Sequence, residues 1–130
     1  LNIHTQDISD LTPLSGLTSL IELRLAANSF TDLAPLRGLA SLQYLELTGN
    51  DITDIGPLSG LINLKQLDLR FNPELTNIQA LLENPGIGAG DIVELRHTNV
   101  SCVDQARLQD KGVDVRTELF SSCATANRQR

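Results

Sequence analysis

Large aromatic side chains are scarce in this chain. Its 130 residues include no Trp, one Tyr and three Phe, so that aromatic residues make up 3% of the total. A globular core of this size is normally built around several large rings. Hydrophobic residues nevertheless reach 41%, and leucine is the commonest of them. The composition therefore favours a thin core filled by one aliphatic residue type repeated in register.

Basic residues are also few. Ten Lys and Arg stand against 16 Asp and Glu, which gives a net charge of −6. Nucleic-acid phosphates require a basic face, and an anionic membrane surface repels an acidic one. The sequence also has no apolar run near the ~20 residues of a spanning helix. We therefore expect neither nucleic-acid binding nor membrane insertion in this segment.

What the chain has in abundance is an internal repeat. Three segments can be superimposed residue by residue: Leu20–Asn28, Leu42–Asn50 and Leu64–Asn72. Their central leucines lie 22 residues apart, at Leu23, Leu45 and Leu67. A fixed period of this length is typical of a solenoid, in which each repeat forms one coil of the stack.

Each coil reads L-x-x-L-x-L-x-x-N-x-L and continues into a return segment. The alternation of Leu45 and Leu47 places both leucines on one face of a short strand. The same pattern runs back to a strand at residues 1–3 and forward to Val93 and Leu95. A last strand is predicted at residues 113–115. Six coils result, with neighbouring strands paired in parallel.

This pattern resembles the leucine-rich repeat family, and specifically its 22-residue internalin-like class. The resemblance is carried by the L-x-x-L-x-L-x-x-N blocks and by the Pro-containing returns Ile8–Leu14, Thr31–Leu36 and Ile52–Leu58. It implies an α/β fold, a right-handed leucine-rich-repeat solenoid. A curved parallel sheet would line its concave side, with 3₁₀ turns and short helices on the convex side. It also implies a protein partner on the concave face.

Two recurring polar residues have predicted structural roles. An asparagine ends each strand, where its buried amide can bond to backbone groups that the turn leaves unpaired: Asn28, Asn50 and Asn72. An aspartate precedes each Pro-containing turn, where it can accept bonds from free N–H groups: Asp10, Asp32 and Asp54.

The C-terminal part departs from the repeat. Residues 1–100 are predicted to be leucine-rich repeats with a truncated first coil, and residues 101–123 a C-terminal cap. A helical stretch is predicted at Ile78–Glu83, followed by a flexible glycine loop at 85–90. Ser101 opens a capping box before a helix over Val103–Lys111, and Gly112 ends that helix. Residues 124–130 form a polar tail that we expect to be disordered.

The two cysteines lie almost one coil apart. Cys102 and Cys123 are separated by 21 residues, and neighbouring coils come close enough for disulfide geometry. A disulfide would pin the cap and would indicate an extracellular, cell-surface or periplasmic protein. The alternative is two unrelated buried thiols in a cytosolic protein.

Outward strand positions form ladders of charged residues across the coils. One ladder is predicted to contain Asn2, Arg24, Glu46, Asp68, Glu94 and Asp114. The next is predicted to contain His4, Ala26, Thr48, Arg70, Arg96 and Arg116. The flanks add an outward column of Glu22, Tyr44, Gln66 and Ile92 on one side, and Phe71 with His97 on the other. The partner-binding residues predicted from these ladders are Tyr44, Glu46, Gln66, Asp68, Arg70, Phe71, Glu94 and Arg96.

A plainer interpretation of the ladders is also open. The same charges could form cross-strand and i, i+2 ion pairs on a solvated sheet, each worth under ~1 kcal/mol. Phe71 favours a binding surface, because a large apolar ring at an outward position is the informative exception.

The sequence points to no cofactor or metal. His4 and His97 would lie roughly 19 Å apart at the strand spacing, too far to share an ion. Capping explains the aspartate column without calcium, which needs six or more clustered oxygens. The glycine loop has no lysine and precedes a strand, unlike a phosphate-binding loop. No nucleophile and base converge on one coil, so we expect no enzyme.

The first coil leaves an exposed edge. Residues 1–3 would form an unprotected strand backed by uncapped leucines. Either residues precede Leu1 in the native protein, or another surface covers this end. The main expectation is a non-catalytic, secreted or surface-exposed module for protein–protein interaction. The alternative is a structural subunit or fragment of a larger assembly, docked through its uncapped N-terminal coil.

Overall fold

A computed structural model of the chain describes residues 1–3, residues 7–118 and Cys123. The predicted His4 position of the second ladder and the 124–130 tail lie outside the described residues. The elements within residues 1–3 and 7–118 are five strands that alternate with three 3₁₀ turns and two helices. In chain order these are the 3₁₀ turn Thr12–Leu14, β1 Glu22–Arg24, the 3₁₀ turn Ala34–Leu36, β2 Tyr44–Glu46, the 3₁₀ turn Gly56–Gly60, β3 Gln66–Asp68, α1 Gln79–Glu83, β4 Ile92–Glu94, α2 Cys102–Asp110 and β5 Asp114–Arg116.

Each coil contributes one strand to a single parallel sheet of order β1-β2-β3-β4-β5. The 22-residue register is kept across the first three strands, where Leu23 pairs with Leu45 and Leu45 with Leu67. Asn2 bridges to Arg24 in parallel, which confirms the strand position of the truncated first coil. The predicted solenoid with one short strand per coil is therefore correct.

The last strand is shifted from its predicted place. It runs over Asp114–Arg116 rather than 113–115, and Val115 rather than Val113 pairs with Val93. A slip of two residues keeps the same side chains on the same face, so hydrophobic alternation alone could not distinguish the two registers. Arg116 consequently lies beside Glu94, where Asp114 was predicted.

The repeated leucines form one continuous core. Those at strand positions are at most 1% exposed, and Phe30 is the large ring among the buried residues. The side chains that line the stack in each coil have equivalents above and below them, so the core needs no bulky aromatic residues. The fully buried strand leucines are Leu23, Leu25, Leu45, Leu47, Leu67 and Leu69.

The asparagines at the strand ends hydrogen-bond between coils, as predicted. The Asn50 amide donates to the Leu47 carbonyl of its own coil and to the Leu25 carbonyl of the preceding coil, each at 3.0 Å. Its Oδ1 accepts the backbone N–H groups of Asn28 at 3.2 Å and Phe30 at 3.3 Å. Each such amide therefore satisfies buried backbone groups of two neighbouring coils.

The aspartates before the turns accept the predicted backbone bonds. Asp32 Oδ1 accepts the N–H of Ala34 at 2.9 Å, and Asp54 Oδ1 accepts that of Gly56 at 2.7 Å. Asp10 accepts the N–H of Thr12 at 2.9 Å in the same way, and hydrogen bonds from the Thr12 side chain and backbone lower the pKa of Asp10. In the fourth full coil Asn77 takes this place and accepts the N–H of Gln79 at 2.9 Å. These carboxylates are thus explained as caps.

The glycine loop after α1 is packed against the solenoid rather than open. A Cβ on Gly86 would lie 1.9 Å from the Ile62 carbonyl oxygen, and Ile87 is buried. Lys111 Nζ donates to the carbonyls of Leu81, Leu82 and Asn84 at 2.8–3.0 Å and so ties α1 and the loop to the end of α2. The sequence showed the glycines but not the neighbouring coil that requires them.

The C-terminal cap has its predicted main features. Ser101 Oγ accepts the Asp104 N–H at 3.2 Å at the start of α2, and Gly112 follows the helix with φ +91°. Cys102 and Cys123 form a disulfide with their Cα atoms 5.0 Å apart. The alternative of two unrelated thiols is therefore set aside.

Candidate functional site

The outward side chains of the strands form three parallel columns on the sheet face, fixed by the register. The first column contains Glu22, Tyr44, Gln66, Ile92 and Asp114, and the second contains Arg24, Glu46, Asp68, Glu94 and Arg116. The third follows two residues later in each coil with Ala26, Thr48, Arg70, Arg96 and Glu118. Seven of the eight predicted partner-binding residues lie in these columns. The eighth, Phe71, directly follows the third column.

The shifted last strand changes the ends of two columns. The second column was predicted to end on Asp114 and instead ends on Arg116, which lies 3.7 Å from Glu94. The third was predicted to end on Arg116 and instead reaches Glu118. The sheet face therefore does not carry unbroken acidic and basic columns side by side at its last coil.

The arginines of the sheet face are each paired with an acid two residues earlier in the same strand. Arg70 forms a bidentate pair with Asp68, with Nη2 at 2.6 Å from Oδ2 and Nε at 3.0 Å from Oδ1. Asp68 is 4% exposed, so this pair is largely removed from water. The others are Arg24 with Glu22 at 2.6 Å, Arg96 with Glu94 at 2.8 Å and Arg116 with Asp114 at 3.2 Å.

Glu46 breaks this pattern. Thr48 occupies the position two residues later, where the next two coils place Arg70 and Arg96. Within the described part of the chain, the Glu46 carboxylate forms no hydrogen bond and no ion pair, and the residue is half-buried. Arg24 and Arg70 are near enough to interact with it electrostatically. It is thus the one described acid of the three columns whose carboxylate is not in an ion pair.

Tyr44 is held beside this carboxylate. The guanidinium of Arg24 lies 4.7 Å from the centre of its ring, in a cation–π contact. Burial raises the pKa of Tyr44, and the nearby Glu46 raises it further, while Arg24 opposes both. The phenol therefore stays neutral and can donate a hydrogen bond at physiological pH.

Directly after the third column, the chain turns through left-handed backbone in four of the described coils. Ala27, Gly49, Phe71 and His97 have φ of 55°, 69°, 59° and 59°. Glycine adopts this conformation freely, whereas other L-residues are strained in it. We call this set the left-handed column.

Phe71 and His97 stack on each other within the left-handed column. Their ring centres are 4.4 Å apart and the planes meet at 24°. Phe71 remains 53% exposed, so one face of the pair is open to solvent. A strained backbone, a rigid stack and an exposed apolar surface therefore coincide at one place.

At the last residue of the left-handed column, His97, a side chain rather than a backbone carbonyl accepts the backbone N–H. In earlier coils a backbone carbonyl of the next coil accepts the N–H of the left-handed residue, as Arg96 does for Phe71 at 3.1 Å. For His97 the acceptor is Glu118 Oε1 at 2.5 Å, which also lies 3.7 Å from Nδ1 of the imidazole. Burial raises the pKa of Glu118, but the backbone hydrogen bonds from His97 and from its own N–H act together with the charges of His97 and Arg96, and the pKa falls below its usual value.

The sheet register thus places seven of the eight predicted residues in the three columns, in different surroundings. Asp68 and Glu94 are buried and hold Arg70 and Arg96 in place. Sequence reasoning missed the contribution of Arg24 and the left-handed backbone at Phe71. Gly49, one coil before Phe71, was the available sign of that backbone.

Neither a metal-binding group nor a membrane-spanning helix is found among the described residues. Among them, no group of three or more His, Cys, Asp or Glu side chains could hold a metal ion. Within the same residues, no helix is long and apolar enough to cross a membrane.

Comparisons with known proteins agree with the fold. Residues 40–83 match the family model described as Leucine Rich repeats (2 copies). The search of curated proteins finds no significant match. Among solved structures, an internalin C2 from Listeria monocytogenes is 31% identical with a TM-score of 0.76, covering 91% of this chain and 50% of that one.

A second structure, an internalin (inlF) from Listeria monocytogenes, is similar in fold alone. It is 22% identical with a TM-score of 0.68, and the match covers all of this chain and 45% of the other. The chain therefore spans about half the length of the internalin structures that it matches.

Proposed function

We propose that this chain, which matches leucine-rich repeats over residues 40–83 and is similar in fold to internalin structures, is a non-catalytic module that binds a protein partner through the outward face of its sheet. The observation that carries this proposal is the Phe71–His97 stack. Left-handed backbone costs about 1–2 kcal/mol for each non-glycine residue. Three of the four coils accept this cost, at Ala27, Phe71 and His97, and only Gly49 avoids it. In two adjacent coils the strained residue is an exposed ring.

The stack does little for the core. Phe71 is 53% exposed and packs on a side chain that is itself exposed. An aromatic pair contributes about 0.5–1.5 kcal/mol, which at most offsets the strain. Selection for stability alone would favour glycine or asparagine at these positions. Recognition of a partner gives a reason to keep rigid, exposed rings, since aromatic anchors dominate protein interfaces.

The charges around the stack support specificity. Arg70 and Arg96 are fixed by bidentate or paired bonds to buried acids, so little side-chain freedom remains to be lost on binding. Together with Tyr44, Glu46 and Gln66 they surround the rings on the same face. An ordered set of charges of both signs suits one partner and repels others.

A selection with the native protein as bait tests this proposal. The probe is a phage library of a small folded domain with a randomised surface. We expect the recovered binders to lose at least tenfold in affinity for Phe71→Ala and for Arg70→Glu in titrations. A matched control is Glu74→Gln, at an exposed position outside the three columns. Binders that hold all four proteins equally well would contradict the use of this face.

We place the protein outside the reducing cytosol, in an extracellular, cell-surface or periplasmic setting. The Cys102–Cys123 disulfide supports this setting, because such bonds persist in oxidising compartments. Alkylation of native material before and after reduction, followed by intact mass, tests it. Thiols that are alkylated without reduction would contradict the proposal.

A second candidate is docking into a larger assembly through the N-terminal end of the solenoid. Large apolar side chains are exposed there: Leu1 at 48%, Leu17 at 43% and Ile21 at 48%. In the next coil the equivalent of Leu17 is Leu39, which is fully buried. Covering this end would therefore bury apolar surface that the stack leaves open. Sedimentation of the wild type and Leu17→Ser at several concentrations would detect such docking, and a monomer in both cases would exclude self-association through this end.

A further inference from the structure

Among the described residues of the sheet face, the Glu46 carboxylate is the one charge that forms no ion pair. It therefore determines which charge a partner needs at this point. Four arginines are matched by acids of their own strands, and Thr48 leaves Glu46 without such a match. Arg24 is the nearest cation in the adjacent strand, but it is bonded to Glu22 at 2.6 Å and lies over the Tyr44 ring. Arg24 and Arg70 interact with Glu46 electrostatically, but each is ion-paired with the acid of its own coil rather than with Glu46.

A partner that covers the sheet face removes water from Glu46. An ionised carboxylate that loses water without gaining a cation is strongly unfavourable. A partner without a positive charge at this point is therefore rejected, and one with a guanidinium or ammonium group is accepted. The same reasoning disfavours an acidic partner, which would have to break the bidentate Arg70–Asp68 pair to find a cation.

The aromatic stack supplies the second point of contact. Glu46 and Gly49 are three residues apart in one coil, and Phe71 follows Gly49 in the next coil. At the rise of a strand and the spacing between strands, Glu46 and Phe71 lie roughly 10 Å apart. One side of a small folded domain or an extended segment of three to four residues spans that distance.

We infer that the partner presents a basic side chain to Glu46 and an aromatic or long aliphatic side chain to the Phe71–His97 stack, roughly 10 Å apart. This inference rests on the proposed use of the sheet face. Glu46 then provides selectivity, because it excludes partners that lack the cation. The stack provides the apolar anchor, which is held rigid by left-handed backbone before binding.

The experiment uses binders selected on the wild type from the folded-domain library. We expect Arg or Lys to be enriched at one randomised position, and Glu46→Gln to weaken binding at least tenfold. Gln keeps the shape of the side chain and removes only its charge, and thermal melts of the variant confirm that it folds. Glu74→Gln serves as the matched off-face control.

A charge swap locates the contact. Replacing the enriched basic residue of the binder with Glu should abolish binding to the wild type and restore it to Glu46→Arg, which would confirm direct pairing. Binders that respond to Phe71→Ala but not to Glu46→Gln would overturn this inference and leave the proposed function standing. Binders that respond to neither would overturn the proposed function itself. Enrichment of Asp or Glu in the binders would also overturn the inference.

Discussion

At the scale of single residues, the left-handed column contains residues that are not the most stable choice for its backbone. The same backbone turn recurs in four coils, and it is occupied by Ala27, Gly49, Phe71 and His97. Only the glycine is unstrained there. The two strained rings are adjacent in space and exposed, so their presence is best explained by what they contact outside the chain.

The strain itself can be measured at the two coils that lack rings. Gly49→Ala should lower the free energy of unfolding by about 1–2 kcal/mol, because an alanine must adopt the same positive φ. Its Cβ would meet only ordinary contacts at 3.6–3.7 Å, so crowding adds little. Ala27→Gly should raise stability by up to about 1 kcal/mol. Urea unfolding checks both, and a stabilising Gly49→Ala would show that the turn is not strained.

Glu118 gives the left-handed column a dependence on pH. Its pKa is lowered in the folded protein from 4.5, so its contribution is present above that value and is lost as the pH falls through the lowered pKa. Between pH 7 and pH 3 the wild type should therefore lose more stability than Glu118→Gln does. Glu118 is 43% exposed, so the difference should be small. Parallel stability curves for the two proteins would contradict the bond to His97.

At the scale of elements, the asparagines at the strand ends link consecutive coils through buried hydrogen bonds. Each amide lies where the strand ends and the chain turns inward, and each bonds to carbonyls of two coils. At the last of these turns Thr98 takes over and its hydroxyl donates to the Leu95 carbonyl at 2.7 Å. The series of asparagine hydrogen bonds, which we call the asparagine ladder, therefore ends where the C-terminal cap begins.

The variant Asn50→Ala tests how much the asparagine ladder stabilises the fold. It leaves the buried N–H groups of Asn28 and Phe30 without their acceptor. The Leu25 and Leu47 carbonyls lose one amide donor but keep those of Asn28 and Asn72. Each unsatisfied buried group costs about 1–3 kcal/mol, so we expect a loss of at least about 2 kcal/mol in chemical unfolding. Asn63→Ala is the matched control, since its exposed amide makes one bond to the Ala40 carbonyl and should cost under about 1 kcal/mol. Equal losses would contradict the role of burial.

The elements also show how far sequence reasoning reaches. The strands, turns, buried leucines, asparagine bonds and aspartate caps follow from a period that places equivalent residues in equivalent surroundings. The register of β5 does not follow, because a two-residue slip preserves the pattern of faces. Nor does the unpaired state of Glu46, which depends on where Arg24 and Arg70 direct their side chains in neighbouring coils.

At the scale of the whole molecule, each coil of the solenoid packs on its neighbours, and a disulfide and hydrogen bonds hold the C-terminal coil in place. Each coil contacts the next, and the core runs without interruption from Leu11 to Val113. The Cys102–Cys123 disulfide and the bonds of Lys111 hold the final coil against it. In such a solenoid, stability is the sum of coil and interface terms, so loosening the cap weakens its neighbours.

Removing the disulfide should cost about 3 kcal/mol, the chain-entropy value for a loop of this length. The double variant Cys102→Ala, Cys123→Ala and the reduced wild type should unfold at the same lowered denaturant concentration. An unfolding midpoint equal to that of the oxidised wild type would show that the cap holds without the bond.

The most direct test of the proposed binding face separates affinity from stability at one residue. Phe71→Gly removes the ring and relieves the left-handed backbone, so its free energy of unfolding should stay within about 1 kcal/mol of the wild type. Its affinity for a binder selected on the native protein should fall at least tenfold. Unchanged affinity, with the fold intact, would contradict the assignment of this face as the binding site.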